Sequence, residues 1–168
     1  MNDWDVLKST VEPDLPTIDF EYTPRSMYLP ISGEGTVHLG YSCYAQQWLS
    51  EGAPTGLPDG AVWANQLPQG TEERTRWEEA SQKDWENLLT LRANEVVVGG
   101  ILVFHIQSSM CCGGLSENAA TILQQAKLKM ISDGELSEKQ ARCVVAPEYQ
   151  KSPVEVLAKL SSGPNQLL

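Results

Sequence analysis

The residues whose types could do chemistry are concentrated in the string GYSCYAQQWLS, residues 40–50. The string continues a strand-like run, TVHL, and ends in the large indole of Trp48, next to Gln47 and a loop. An indole N–H is a donor only, so it can hold a carboxylate oxygen in a dry pocket without adding a charge. The end of a strand is also where open α/β sheets bind their ligands. Trp48 is therefore either a core residue or a residue that contacts a ligand.

Other patterns that could bind a ligand lack the required spacing. Residues 33–35, Gly-Glu-Gly, precede a strand, whereas the phosphate-binding glycine fingerprint follows one. Cys111 and Cys112 are adjacent and lack the paired C-x-x-C spacing of zinc sites, so we expect no metal site. His105 alternates with apolar neighbours, which predicts a hydrogen-bonded histidine in the core.

Composition and charge limit the class of protein. The chain has 168 residues, which predicts a single domain over residues 1–168. It has 22 acidic and 12 basic side chains and a net charge of -10, which argues against a nucleic-acid partner. The sequence contains no apolar run long enough to cross a bilayer, and MNDWDVLKST is not a secretory signal, so we expect a cytoplasmic protein that does not bind membranes. Its four cysteines are then expected to be free thiols.

Hydrophobic periodicity predicts an alternation of helices and strands. The predicted helices are 2–11, 71–93, 116–132 with Ser116 as its cap, 135–142 and one from Pro153, and the predicted strands are 36–42, a weak edge strand at 61–67, and 95–107. This order is typical of an α/β fold with a parallel sheet. We expect strands 36–42 and 95–107 to be parallel neighbours joined by helix 71–93. The nearly continuous apolar character of 95–107 predicts a strand buried on both faces.

Six segments resemble the motifs of one enzyme family, in its order and at about its spacing. SCYAQQWLS resembles the family's S-S-Y-S-L-H-W-L-S, NDWDVL its N-D-F-N-x-L, and TPRSMY its P-G-S-F-Y. SQKDWENLLTLRANEVVVGGILV, MISDGELSEKQ and YQKSPVEV resemble three further motifs. On these segments the chain resembles the SABATH family, the S-adenosylmethionine-dependent carboxyl methyltransferases that include the salicylate, benzoate and jasmonate enzymes.

The resemblance implies part of a Rossmann-like class I methyltransferase fold. By this comparison the two strong strands are the fourth and fifth of seven in a considerably longer chain. The glycine-rich turn that holds the cofactor would precede Met1, and the last strands would follow Leu168. We therefore expect a partial methyltransferase domain with exposed apolar patches.

The resemblance also implies roles for particular side chains. Tyr44, Gln47 and Trp48 would bind a small-molecule carboxylic acid, and Ser26 and Met27 would lie beside the adenosine of S-adenosylmethionine. Trp48 would point into a pocket lined by Tyr44, Gln47 and Ser26. Gln47 stands where the family has histidine or methionine, and Met27 where it has phenylalanine, so the identity of the acid stays open.

The implied function is methyl transfer to the carboxylate of a small acid, either by this chain or by an enzyme of which it is a fragment. The alternative is a non-catalytic remnant that folds with, or regulates, a full-length relative. A homodimer or a pairing with such a relative is the expected assembly.

Overall fold

This computed structural model describes residues 4–108 and 115–161. These residues contain five α-helices and two β-strands, connected by loops. The helices are α1 (Trp4–Val11), α2 (Glu72–Glu95), α3 (Leu115–Ser132), α4 (Glu138–Cys143) and α5 (Pro153–Ser161). The strands are β1 (Val37–Cys43) and β2 (Val96–His105), and short 3-10 helices occupy Glu12–Asp14 and Ala64–Gln66.

The two strands form a parallel sheet, and α2 connects them. This confirms the predicted α/β fold and the predicted pairing. Leu39 lies opposite Ile101, and Cys43 lies opposite His105. The carboxyl ends of both strands therefore meet at one edge of the sheet.

A bulge separates the first residue pair from the rest of the sheet. Between the pair Val37–Val96 and the pair formed by Leu39 with Ile101, β2 uses more residues than β1. Two consecutive glycines make this possible. Gly99 has a φ of +83°, and a Cβ on Gly100 would lie 3.0 Å from the carbonyl oxygen of Val37.

Helix α2 packs against the rest of the chain along its whole length. Its buried residues are Trp77, Ser81, Asp84, Trp85, Leu88, Arg92 and Glu95. Trp77 belongs to one core cluster, together with Leu49, Leu57, Ala61, Ala64, Leu67 and Tyr149. Trp85 and Leu88 belong to a second cluster with Tyr28, against which Phe104 of β2 packs. The helical period of the sequence places the buried residues of α2 on one face.

The C-terminus of α2 also fixes where both strands begin. The N–H of Gly35 donates to the carbonyl of Asn94 over 3.0 Å, and the N–H of Thr36 donates to that of Glu95 over 2.9 Å. β1 therefore starts beside the residue at which the helix gives way to β2.

The outer face of the sheet is uncovered in the described structure. We define it as Leu39, Tyr41, Ile101 and Val103, whose exposed fractions are 66, 67, 59 and 42%. The prediction that the second strand is buried on both faces is therefore wrong for Ile101 and Val103, which belong to that strand. Its apolar composition reflects a face that no described element covers. The prediction of a core histidine at His105 is wrong for the same reason, because that side chain is exposed beside this face.

Three other sequence predictions also need correction. Residues 61–67 form no strand, because the Gln66 carboxamide oxygen accepts from the N–H groups of Val62 and Trp63 and closes a 3-10 turn. Ser116 lies in the first turn of α3, one residue after its start. The predicted helix at 135–142 begins at Glu138 instead, because the Ser137 side chain caps it by accepting from the Gln140 N–H.

We predict that the outer face binds an apolar fluorescent dye such as anilinonaphthalene sulfonate. Replacing the cross-strand pair Leu39→Lys and Ile101→Glu should abolish most of that fluorescence, because it breaks the contiguous apolar surface. Leu15→Lys with Ile18→Glu is the matched control, since both are exposed apolar residues outside the sheet. Equal fluorescence from the wild type and the sheet variant, or its loss in the control, would contradict the prediction.

Candidate functional site

The carboxyl ends of the two strands place a cluster of aromatic and polar side chains at one edge of the sheet. Cys43 ends β1, His105 ends β2, and Tyr44 follows Cys43. The ring centroids of Tyr44 and His105 are 4.4 Å apart with an interplanar angle of 42°. The first residue of the predicted substrate site thus lies at the sheet edge where α/β folds bind ligands.

Tyr44 adopts a left-handed backbone conformation, with a φ of +51°. This conformation costs a residue with a Cβ roughly 1–2 kcal/mol. Two hydrogen bonds hold it, because the Tyr44 N–H donates to the His105 carbonyl over 2.8 Å and the Tyr44 carbonyl accepts from the Gln47 carboxamide over 3.0 Å. The turn leads the chain out of the sheet into the segment that contains Trp48.

The segment Gln46–Ser50 has no regular secondary structure and is held by its main chain. The carbonyl oxygen of Gln46 accepts from the Lys151 ammonium at 3.3 Å, and that of Gln47 accepts from the Tyr149 N–H at 2.8 Å. The carbonyl oxygen of Trp48 accepts from the Tyr28 hydroxyl at 2.5 Å. The N–H of Leu49 donates to the carbonyl of Pro147 over 2.9 Å. No helix begins in this segment.

Asp84 completes this fixation from α2. Its two carboxylate oxygens accept from the N–H and the hydroxyl of Ser50, at 2.7 and 2.6 Å. Because the carboxylate is buried, both hydrogen bonds are needed to satisfy it. The end of the Gln46–Ser50 segment is therefore tied to the longest helix of the chain.

The side chain of Trp48, by contrast, is available. It is 47% exposed, so it is not packed into the sheet. Its N–H and carbonyl groups bond to Ala45 and Tyr28, and its main chain bridges to Glu148. Within the described residues, the indole N–H donates no hydrogen bond. Trp48 thus presents a free donor from a fixed main chain.

Gln47, the residue before Trp48, has a side-chain acceptor without a hydrogen-bond partner among the described residues. The side chain is 5% exposed, and its amide nitrogen donates to the Tyr44 carbonyl. Its carboxamide oxygen is buried and has no hydrogen-bond partner among the residues described. A buried acceptor left in this state costs roughly 1–3 kcal/mol.

Ser26 and Met27, the predicted cofactor residues, lie in a loop that α2 also holds. Ser26 is exposed, and Met27 packs against the core cluster of Tyr28, Trp85 and Leu88. The Arg92 guanidinium donates to the Met27 carbonyl at 3.3 Å.

Tyr28 connects the two predicted sites. Its N–H donates to the Ser26 hydroxyl at 3.3 Å, and its own hydroxyl donates to the carbonyl of Trp48. Burial is the main cause that raises the pKa of Tyr28. The phenol therefore stays protonated and keeps donating throughout the neutral range. Whether Trp48 and Ser26 share one pocket stays a prediction.

A cavity of about 280 Å³ lies between the Met27 loop, α2 and the inner face of the sheet. Met27, Ile31, Leu88, Leu102 and Phe104 give it a mostly apolar lining. This lining suits a flat apolar group such as a purine. It offers little to a sugar, because its carboxylate, Glu95, already bonds to Arg92 and to the N–H of Ile31.

Lys151 is a buried amine below the Gln46–Ser50 segment. It is 3% exposed, and its ammonium lies 6.0 Å from the centroid of the Trp85 ring. Burial lowers its pKa from 10.5 to about 8, while Asp84 and Glu155 act in the opposite direction. The hydrogen bond from Lys151 to the Gln46 carbonyl therefore requires the Lys151 amine to be removed from water.

No metal centre is present in the described parts of the chain, where no three His, Cys, Asp or Glu side chains lie close enough to hold an ion. Cys111 and Cys112, considered above, lie outside the described residues. None of the helices that the structure describes is long and apolar enough to cross a membrane.

Sequence analysis found the segment around Trp48 but missed the residues that position it. These are Tyr28, Asp84 and Lys151, while Glu95, which was also missed, holds the loop before β1. A signal existed for Asp84 and Glu95, because each falls among the apolar residues on the buried face of α2. Lys151 gave no such signal, since it lies in an irregular segment distant in sequence.

Comparison with known proteins gives one family. The sequence model described as SAM-dependent carboxyl methyltransferase matches residues 7–163. The chain is 25% identical over 142 residues to S-adenosyl-L-methionine:benzoic acid/salicylic acid carboxyl methyltransferase 2 of Petunia hybrida, covering 82% of this chain and 39% of that protein. It is 27% identical over 150 residues to gibberellic acid methyltransferase 2 of Arabidopsis thaliana, covering 79% and 38%.

A solved structure supports the fold. Loganic acid methyltransferase with SAH superposes with a TM-score of 0.77 at 22% identity, covering 95% of this chain and 48% of that one. The chain thus spans about half of this solved structure and, at 39% and 38%, about two fifths of those two relatives. The two-stranded sheet corresponds to part of a larger methyltransferase fold.

We predict a pH-dependent stability that originates at Lys151. Between about pH 8 and 10.5 the unfolded chain keeps a proton on this amine that the folded chain has released. The free energy of unfolding should therefore rise with pH across that window, by on the order of 3 kcal/mol from this group. Lys151→Met removes the titrating amine, so the difference between wild type and variant should change by this amount in denaturant titrations from pH 7 to 10.5.

The exposed Lys83 provides the control. Lys83→Met should keep the wild-type pH dependence, and other groups that titrate in this range cancel in the comparison. A wild-type-minus-Lys151→Met difference that stays constant or falls with pH would show that Lys151 carries no such penalty.

Proposed function

Because the chain belongs to the SAM-dependent carboxyl methyltransferase family, we propose that it forms the acid-binding side of an enzyme that methylates the carboxylate of a small organic acid. The names of its relatives specify benzoic, salicylic and gibberellic acids as their acceptors. This chain spans only part of their length, so both the activity and the acceptor are proposals for it. We propose the cytoplasm as the site of this activity.

The observation that carries the proposal is the state of Trp48. Its main chain is fixed on both sides, while its indole N–H is free and its side chain is half exposed. A carboxylate that leaves water must have its oxygens satisfied by donors. The indole supplies such a donor at the sheet edge, without a cation whose own desolvation would have to be compensated.

The chemistry needs little else from these side chains. A carboxylate is already ionised at neutral pH, so no general base is required to activate it. Catalysis is then mainly the placement of the attacking oxygen in line with the methyl carbon and the sulfur. The fixation of the Gln46–Ser50 segment serves this purpose, because an error of a fraction of an ångström in the position of Trp48 would be passed to the bound acid.

Gln47 and Tyr44 contribute selectivity in this proposal. The unpaired oxygen of Gln47 accepts a hydrogen bond and so favours an acid that carries a hydroxyl group near its carboxylate. The Tyr44 ring, tilted against His105, offers an aromatic surface at the same edge. The acceptor class that fits both features is a hydroxylated aromatic acid.

Ser26 and Met27 fit one part of the cofactor. S-adenosylmethionine, when bound, supplies the methyl group on a positively charged sulfur. Met27 provides a polarizable apolar contact at the edge of a cavity whose lining suits adenine, and Ser26 provides a hydroxyl nearby. The lining does not suit the ribose and amino-acid ends, which we propose are held by other segments of the fold.

We predict that Trp48→Phe lowers the affinity for salicylate, and any methyl transfer to it, by roughly ten- to a hundredfold. This range follows from the loss of one hydrogen bond to a charged group, about 1.5–3 kcal/mol. Stability should change little, because the ring is half exposed and its N–H has no described partner. Calorimetric titration of the chain with salicylate and benzoate measures binding, and transfer of a labelled methyl group measures activity in the chain and in any longer polypeptide that contains it.

Trp77→Phe is the matched control. The indole N–H of Trp77 donates to the Thr55 carbonyl in the core, so this variant should lose about 1–3 kcal/mol of stability and keep its affinity for the acid. If Trp48→Phe lowers stability and leaves acid binding intact, Trp48 is a structural residue and the proposal is wrong.

A further inference from the structure

The strand ends hold a cysteine and a histidine in contact, and the methyl-transfer chemistry uses neither. Cys43 and His105 are cross-strand partners in the parallel sheet, and both side chains are exposed. The Cys43 sulfur lies 3.6 Å from Nδ1 of His105. We propose that Cys43 is a modification site, a nucleophilic thiol activated by His105 that adds to uncharged α,β-unsaturated carbonyl compounds. This inference does not depend on the methyl-transfer proposal.

The geometry gives His105 the role of base. With its ring proton on Nε2, the imidazole presents the lone pair of Nδ1 to the thiol proton, the arrangement by which a neighbouring base activates a cysteine. The Tyr44 ring packs against the imidazole at a tilt of 42°, with the two centroids 4.4 Å apart, and restricts its orientation. The Tyr44 N–H also bonds to the His105 carbonyl, which fixes the end of β2 against the residue after Cys43.

The addition step is balanced without an oxidant or a leaving group. The thiol proton passes to Nδ1 of His105, and the sulfur forms a bond to the β-carbon of the unsaturated carbonyl compound. The C=C π electrons move to give an enolate. The enolate then takes the proton back from the imidazolium at its α-carbon, which leaves a thioether on Cys43 and a neutral His105.

The surroundings of the thiol favour an uncharged, partly apolar electrophile. On the same face of the sheet, Cys43 and His105 are followed inward by Tyr41 and Val103, which are exposed and uncharged. The chain as a whole carries a net charge of -10, which disfavours the approach of anionic reagents. An aromatic or alkyl enone would contact Tyr41 and Val103 while its β-carbon reaches the sulfur.

Competition between two thiols of the same molecule tests this proposal. Cys111→Ser and Cys112→Ser leave Cys43 and Cys143, both exposed. Substoichiometric N-ethylmaleimide is the probe, and peptide mass spectrometry over time gives the two rates. Among the described residues, the Cys143 sulfur lies 3.6 Å from the Lys139 carbonyl, to which it donates, and it also interacts electrostatically with Lys127. Cys143 therefore serves as the reference thiol without a histidine contact among those residues.

The expected result is that Cys43 reacts at least about tenfold faster than Cys143, and that His105→Gln removes most of this advantage. Glutamine can accept the thiol hydrogen bond and cannot take up the proton. His38→Gln, at the other histidine of the chain, should leave the ratio of rates unchanged. Circular dichroism confirms that the variants are folded.

Three outcomes would overturn the proposal. Cys43 reacting no faster than Cys143 in the parent protein would do so without any histidine variant. An unchanged ratio in His105→Gln would show that the imidazole is not the activating group. An equal fall in His38→Gln would show that the effect is not specific to the contact between Cys43 and His105.

Discussion

One buried ion pair at the end of α2 determines how the loops and strands of this chain are arranged. Arg92 and Glu95 lie one turn apart with their charged atoms 2.9 Å from each other, and both are almost fully buried. Each also bonds to the main chain of the loop before β1: Arg92 to the carbonyls of Met27 and Leu29, and Glu95 to the N–H of Ile31. Removing one partner of such a pair typically costs about 3–5 kcal/mol, because the other is left buried and uncompensated.

The position of this pair explains why distant segments meet. The carbonyl of Glu95 accepts from the N–H of Thr36, the residue before β1, and the residue after Glu95 is the first of β2. The end of the helix and the starts of both strands therefore lie at one junction. The seven residues of β1 then carry the chain to the opposite end of the sheet, where Tyr44 and the Gln46–Ser50 segment follow. There the carboxylate of Asp84, two turns before Arg92 on the same helix, accepts a hydrogen bond from the N–H of Ser50. Helix α2 therefore fixes both the start and the end of β1 with buried polar groups.

Sequence reasoning identified the elements whose signal is local. The period of apolar residues in α2 and the apolar run of β2 were enough to predict a parallel pair with a helix between them. The family motifs around Trp48 were also local in sequence. Residues 61–67 show the limit of such reasoning, because their apolar start, Ala-Val-Trp-Ala, is compatible with an edge strand. The side chain of Gln66 decides otherwise by bonding to two neighbouring N–H groups.

The contacts that position the site could not be predicted, because they join residues far apart in the chain. Lys151 and Gln46 are an example: a buried lysine against a single carbonyl has no sequence pattern. The environment of β2 was misjudged for a related reason. An apolar strand shows that both faces can be covered, and it does not show which polypeptide segment covers them. The exposed Leu39 and Ile101 show only that no described segment covers this face.

The separation between main chain and side chain at Trp48 has a consequence for how such a site can evolve. The contacts that hold Trp48 itself are made by its carbonyl and N–H groups, which most residue types retain. The exposed side chain of Trp48 can then be exchanged with little loss of folding stability. Under the proposed function, new acceptor preferences can arise by single substitutions at this position, without compensating changes elsewhere in the protein. A scaffold of this kind allows related enzymes to diverge in the acid they recognise while their fold stays the same.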